Sequence, residues 1–512
     1  MRQTACRLNE ALNAPKNSIS FWLCLAGLFF FVFLLWGKPV PYSNEFPYLL
    51  RLVKEANPDF LLNDWTFSVP ANEHWLFNRL FSLLAKFLPI EILGWIGRIA
   101  AWILTLQILL RIGKLWQIPN WAIAAGIAFW LAIGQSLVGD EWIVGGFEAK
   151  SVSYIFLLYA LYYFSLHRTV LPAALLGIAF AFHPAVGLWS ALAVGLALLG
   201  EKTDFKTLVK IVAITAAFAI PGILPLAIGQ LAANGGDSAE SWRYLVTVRF
   251  PFHFDPFTFS RSATVFLVGM LVVNTAVFRR SVNFAMRFLL KFQIALAVFF
   301  LAGFILRFYE MFEWLRFLPV RLFPVFTPLF FALTVFYFLR QPKAKLLKVF
   351  VLLFVAAFIV RLNRIPITFQ QIRNTYQSRT TAPDDLQRTS AWIAANTPNG
   401  VIVIQPPNRN DVWYFSRRAA VASFAYQTFG RLDEWRTRVA DLTGNAEIIY
   451  SETTSQSVEA AFNNLSANQI NEIRKKYAAT YLVSRAAYSF PVVFQTETYK
   501  IYLLPPDQKR SL

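Results

Sequence analysis

The chain is 512 residues long, 56% hydrophobic and only 15% charged, with a mean hydropathy of +0.47. An ordinary soluble domain carries about 25% charged residues, so this composition excludes a simple cytosolic enzyme, and 51 Phe, 18 Tyr and 16 Trp exclude a disordered chain. The net charge of +19 raises the question of a nucleic-acid partner, which only the placement of the charges answers.

A hydrocarbon core about 30 Å thick takes about 20 mainly apolar residues per helix. Apolar runs predict eleven spans, at 19–36, 91–110, 119–138, 150–166, 170–182, 184–199, 208–232, 262–278, 288–306, 317–339 and 346–362. The pair at 170–199 is interrupted by His183-Pro184 and reads either as two short spans or as one kinked unit. No small-residue cleavage site precedes Lys38-Pro39, so the first span is expected to be retained. Beyond 362 the composition turns polar. A linker and then a small α/β domain are expected, with a helix at 384–396 and strands at 401–405, 480–484 and within 492–504. The expected fold is therefore an all-α polytopic membrane protein of about 11 transmembrane helices (1–362) with a large first outside loop (37–90). A C-terminal α/β soluble domain (363–512) follows. Two cysteines, Cys6 and Cys24, are too few for a disulfide framework or a thiolate metal site.

Lys and Arg mark the cytoplasmic side. With the N-terminus inside, the inner segments 1–18, 111–118, 167–169, 200–210, 279–291 and 340–348 carry 17 basic residues against three acids, Glu10, Glu201 and Asp204. The outer segments 37–90, 139–150, 234–261 and 307–316 carry 11 basic and 13 acidic residues. The basic excess is a topology signal, and no nucleic-acid partner is expected. Eleven crossings put the C-terminal domain outside: in a bacterium, in the periplasm at the inner membrane.

The outer side also collects the unusual polar residues. Loop 37–90 is too long for a mere connection and holds Asn44-Glu45, Asn63-Asp64-Trp65 and an apolar stripe at 74–88. Asp140, Glu141, Glu148 and Lys150 follow before the span at 150; His183, Arg249, His253, Arg316 and Arg321 complete the set. Singly, each has an ordinary reading. Glu45 reads as a loop acid or helix-start residue, Asp64 as a turn cap, His183-Pro184 as a kink, and Arg316 and Arg321 as snorkelling cations. Their shared side points to one polar cavity, roofed by the C-terminal domain.

This layout resembles the GT-C superfamily of integral-membrane glycosyltransferases. NEFPYL at 44–49 after the first span and NDW at 63–65 carry the likeness. FEAK at 147–150, HP at 183–184, RFPFHFDP at 249–256 and WLRFLPVRLF at 314–323 look like a bacterial membrane-protein family close to it. The resemblance implies transfer of a sugar from a polyprenyl-phosphate donor to a glycan, lipid or protein acceptor on the outer face. It makes Glu45 the general base, with Asp64 second. Lys150, His183, Arg249, His253, Arg316 and Arg321 become the pool for the leaving phosphate. Asp140, Glu141 and Glu148 are left for sugar hydroxyls or for a divalent cation, Mg2+ or Mn2+. Two adjacent acids are common in the superfamily where this chain has Asn44-Glu45, which leaves metal use open. Two other classes remain: a transporter or flippase for a lipid-linked or anionic solute, and a non-catalytic scaffold of the same architecture.

Overall fold

The computed structural model describes residues 18–232, 237–279, 281–340 and 345–505. The inner segment 1–17, with Cys6 and Glu10, lies outside the described residues, as do Arg280 and 341–344. In hydrocarbon a backbone has to satisfy its own hydrogen bonds, so apolar runs become helices. In order they are α1 (Ile19–Trp36), α2 (Glu45–Ala56), α3 (Trp75–Ala85), α4 (Ile90–Leu115), α5 (Asn120–Ala132), α6 (Ala149–Ser165) and α7 (Val170–Phe182). Then come α8 (Pro184–Gly200), α9 (Phe205–Ala232), α10 (Arg261–Phe278), α11 (Phe284–Phe308), α12 (Phe323–Leu339) and α13 (Lys345–Arg361).

A helix stands at each of the eleven expected spans, though fewer of them are long enough to cross a membrane alone. Among the described residues, five helices are long and apolar enough to cross a membrane alone: α1, α4, α9, α10 and α11. A sixth appears if α13 and the helix after it, bent by 53°, form one span. Helices α5, α7, α8 and α12 are apolar but shorter. Two of these stop short because left-handed residues turn the chain away. Gly134 (φ +90°) and Gln135 (φ +67°) end α5 before the expected 138, and Leu318 (φ +56°) delays α12 past the expected 317. Both freed stretches become loops that build the site.

The connections sort to two ends of the bundle. At one end Glu201 pairs with Arg287 (3.1 Å) and Lys291 (2.6 Å), Asn283 bonds the Leu115 carbonyl (2.8 Å), and Arg340 bonds the Gln117 carbonyl (3.2 Å). The segments read as inner from the sequence thus meet one another.

At the other end sits the C-terminal part. The expected linker is instead a helix, α14 (Arg364–Thr380), strapped to the ends of α1 and α5: Thr375 donates to the Leu35 carbonyl (2.7 Å) and Thr368 to that of Ala132 (2.6 Å). After α15 (Asp385–Asn396) come β1 (Ile402–Ile404), β2 (Ala419–Ala420), α16 (Leu432–Leu442), α17 (Thr454–Asn463), α18 (Ala467–Tyr477), β3 (Tyr481–Ser484), β4 (Val492–Gln495) and β5 (Lys500–Leu503). The sheet order is β2-β1-β3-β5-β4, with β1 parallel to both neighbours and β3, β5 and β4 antiparallel. This sheet unit docks on the long loop. Phe67 packs edge-on to Trp413 (centroids 5.3 Å) and stacks on Tyr426 (5.9 Å), and Tyr414 bonds Glu91 (3.0 Å).

Candidate active site

The site is built around the loop between α5 and α6. Gln135 templates it: its side-chain oxygen accepts from the amides of Ile143 and Val144 (2.9 Å each), and its amide donates to the Val144 carbonyl (2.7 Å). Gly145 and Gly146 then let the backbone pass where a Cβ would strike the Trp142 ring and the Glu45 carboxyl.

Glu45 holds this loop in place. It is the first residue of α2 and fully buried. Its carboxylate accepts from the amides of Tyr42 (2.8 Å) and Phe147 (2.6 Å) and from Nε (2.9 Å) and Nη2 of Arg98. Arg98, equally buried in α4, also reaches the Lys38 carbonyl (2.6 Å). The carboxylate expected as the base at Glu45 is therefore fully hydrogen-bonded, with its charge matched by Arg98.

The neighbouring carboxylate differs. Glu148, immediately before α6, accepts from Asn44 at 3.3 Å through Oε2, while its buried Oε1 has no hydrogen-bond partner. Burial pushes its pKa up to about 7, with Lys150 opposing and Glu141 adding to the rise. Lys150 Nζ, 3.8 Å from Glu141 Oε1 and 4.0 Å from Glu148 Oε2, makes no hydrogen bond and lies 3.8 Å from the centre of the Trp142 ring. Glu141 accepts from Arg321 Nε (2.5 Å) and the Tyr154 hydroxyl (3.0 Å). Burial works against its ionisation, but Arg321 and Lys150 outweigh this and hold the Glu141 carboxyl below the usual range.

Arg321, held by Glu141, aims Nη1 at His183 Nε2, 3.4 Å away. His183 caps α8, its Nδ1 accepting from the Val186 amide at 3.3 Å. The neutral ring therefore carries its proton on Nε2, and burial together with Arg321 keeps it neutral by lowering its pKa well below the ordinary value. The ring faces that of His74 (centroids 5.0 Å), whose Nε2 meets the Tyr48 hydroxyl (2.9 Å) and whose buried Nδ1 has no hydrogen-bond partner. Burial and Arg321 bring His74 down to about 4. His253 donates from Nδ1 to the Gly139 carbonyl (2.8 Å) and, also by burial and Arg321, falls to about 3. The cluster as a whole presents hydrogen-bond donors and one open carboxylate oxygen.

No protein-family model matches this chain, and no curated protein is detectably similar in sequence. Solved structures are similar. The oligosaccharyltransferase of Archaeoglobus fulgidus, tethered with an acceptor peptide, matches at TM-score 0.50 and 14% identity over 91% of this chain and 69% of its own. The same archaeal enzyme, AglB, in complex with an inhibitory peptide and a dolichol-phosphate gives the same values. The chain shares the fold of this archaeal membrane enzyme. A mycobacterial arabinofuranosyltransferase, AftD, also matches, at TM-score 0.46 and 15% identity over 95% of this chain and 40% of its own.

Within this fold, three expected site residues lie away from the cluster. Asp64 caps the short helix Trp65–Ser68 and accepts from the amides of Phe67 (3.0 Å) and, across the interface, Ala420 (2.9 Å). Arg249 donates to the Ala425 carbonyl (2.7 Å). Arg316 lies over the rings of Trp242 and Phe317. Asp64 and Arg249 fasten the sheet unit to the bundle, and neither faces the cluster. Asp140 is exposed at a left-handed turn (φ +45°) beside Glu141. The expected Mg2+ or Mn2+ finds a poor fit. Among the described residues no group of three or more His, Cys, Asp and Glu is placed to hold a metal ion. Glu141 and Glu148 instead face Lys150 and Arg321.

Sequence reading missed Arg98, Tyr48 and Tyr154 as members of this environment. Arg98 had a signal: a lone arginine in an apolar run is costly unless paired. The tyrosines had none, being common at membrane interfaces.

Proposed function

We propose that this chain is an integral-membrane glycosyltransferase that moves a sugar from a polyprenyl-phosphate donor to an acceptor hydroxyl or amide on the outer face. The observation that carries the reading is one buried cluster at the end of a GT-C-type bundle, in which Glu148, with its Oε1 open, lies beside Lys150, and Lys150 and Arg321 share Glu141, with His183 beside Arg321. Arg321 Nη1 beside His183 Nε2, with the Lys150 ammonium on the far side of Glu141, suits a phosphate oxygen. The archaeal neighbour's complex with a dolichol-phosphate supports a lipid-linked donor, and its tethered acceptor peptide keeps a protein acceptor among the candidates beside glycans and lipids.

In this mechanism Arg321, preorganised by Glu141, and Lys150 neutralise the phosphate as it departs, and His183 donates to it through Nε2–H. Glu148 Oε1 accepts the acceptor's proton as the acceptor atom bonds the anomeric carbon and the bond to the phosphate oxygen breaks. The products are the glycosylated acceptor, polyprenyl phosphate and a protonated Glu148. Direct displacement inverts the anomeric centre. A carboxyl near pKa 7 is well matched to accept a proton at neutral pH. The cytoplasmic N-terminus, the eleven crossings, the domain division at 362/363 and the periplasmic face of a bacterial inner membrane belong to the same reading, supported by the basic end described above.

The test is transfer from a labelled polyprenyl-phosphate sugar by purified protein. Glu148→Gln should keep donor binding and lose transfer about 10²- to 10⁴-fold, the worth of a general base. Failure of the wild type to bind any polyprenyl-phosphate sugar would overturn the reading.

A further inference from the structure

Lys150 holds an unusual position. The residue is 1% exposed, and its ammonium lies 3.8 Å from one oxygen of Glu141 and 4.0 Å from one of Glu148, with the Trp142 ring 3.8 Å away and no hydrogen bond to any of them. A buried ammonium usually donates to a carbonyl or carboxylate. This one is held by undirected charge alone, the way a cation sits among oxygens. Two carboxylates beside a place for phosphate and hydroxyl oxygens are the donor set of Mg2+ or Mn2+, and gaps near 4 Å leave room for the bridging waters that Mg2+ retains. The two carboxylates do not repel each other freely across this gap, because the ammonium and Arg321 stand among them.

We propose that the Lys150 ammonium stands in for a divalent cation between Glu141 and Glu148, so that the site operates without a metal ion. Only the further step, that this charge faces a departing phosphate, rests on the glycosyltransferase reading; the ammonium's hold on the carboxylate pair does not. Removing the side chain should then open a true cation site. A tethered ammonium is permanent and cannot be drawn off by a chelator, whereas a bound ion exchanges with its surroundings.

Mn2+ binding, followed by electron paramagnetic resonance on the full-length protein in lipid nanodiscs, decides the matter whether or not the protein transfers sugar. Wild type should bind no Mn2+ that Glu148→Gln abolishes. Lys150→Ala should bind one Mn2+ per chain, at least about tenfold tighter than any residual non-specific binding by the wild type. The double variant Lys150→Ala/Glu148→Gln should lose it, and ethylammonium should compete for it. Specific Mn2+ binding by the wild type that disappears in Glu148→Gln would overturn the proposal. So would a Lys150→Ala protein that unfolds cooperatively yet binds no Mn2+. If Lys150→Ala does not fold, Lys150→Ser takes its place, and the wild-type and Glu148→Gln comparison stands without either.

Discussion

Arg321 Nη1 lies 3.4 Å from His183 Nε2, while His183 Nδ1 accepts from the Val186 amide. In the tautomer that leaves Nδ1 free to accept, both atoms bring a hydrogen to the gap, an arrangement an anion would complete. Arg321→Lys keeps the charge but loses the fork that bonds Glu141 with one nitrogen and aims another at the ligand. Transfer should fall about 10²- to 10³-fold, the range for one preorganised donor, while the protein still folds. Initial rates at saturating donor measure this.

Glu45 and Arg98 should behave as a structural pair. Neutralising either one leaves the other charge buried and unmatched, costing about 3–5 kcal/mol. Glu45→Gln and Arg98→Met should each lower the melting temperature sharply, and the double variant should recover much of the loss. A Glu45→Gln protein that melts like the wild type but has lost transfer would return the base to Glu45.

The pH profile should carry the signature of Glu148. Burial holds its pKa up at about 7, and a base works only when unprotonated. Transfer should climb about tenfold per pH unit below 7 and level off above it. Glu148→Asp should keep a rising limb, whereas Glu148→Gln should remove it along with most of the rate.

Asp64 predicts a pH dependence of docking. Burial raises its pKa from 3.8 to about 6, against the amides of Ala420 and Phe67, the Trp413 side chain and Arg51. The folded state therefore binds this proton more tightly than the unfolded one. The contribution is greatest at low pH and is lost as pH rises from about 4 to about 6, by at most about 3 kcal/mol. Asp64→Asn should flatten that part of the melting-temperature profile relative to the wild type.

Phe67 anchors the sheet unit through Trp413 and Tyr426. Phe67→Ala should cost about 3–5 kcal/mol at this interface. Limited proteolysis should then cut the C-terminal part faster than in the wild type, with the membrane part still protected.

The helices were legible because an apolar run in lipid has one way to satisfy its backbone, and the strands at 402–404 and 481–484 because β-branched residues gather there. The two-residue strand at Ala419 carries no such mark. Sidedness brought Glu141, Glu148, Lys150, His183 and Arg321 into one set without saying which touch. The pairing of Glu45 was not legible because its partner, Arg98, sits 53 residues away inside an apolar run. Asp64 and Arg249 were grouped with the cluster because their partners, Ala420 and Ala425, offer only backbone atoms, which leave no trace in side-chain chemistry.

Gln135 has a consequence for encounter kinetics. Its three hydrogen bonds settle the shape of the loop that carries Glu141 and Glu148 while the chain folds, before any ligand arrives. The ordering entropy of that loop is spent once per molecule and never again per turnover. On the glycosyltransferase reading, an incoming anion would meet finished geometry, with no loop search to slow its capture. Gln135→Ala would shift that search back into every binding event, and the on-rate would record it.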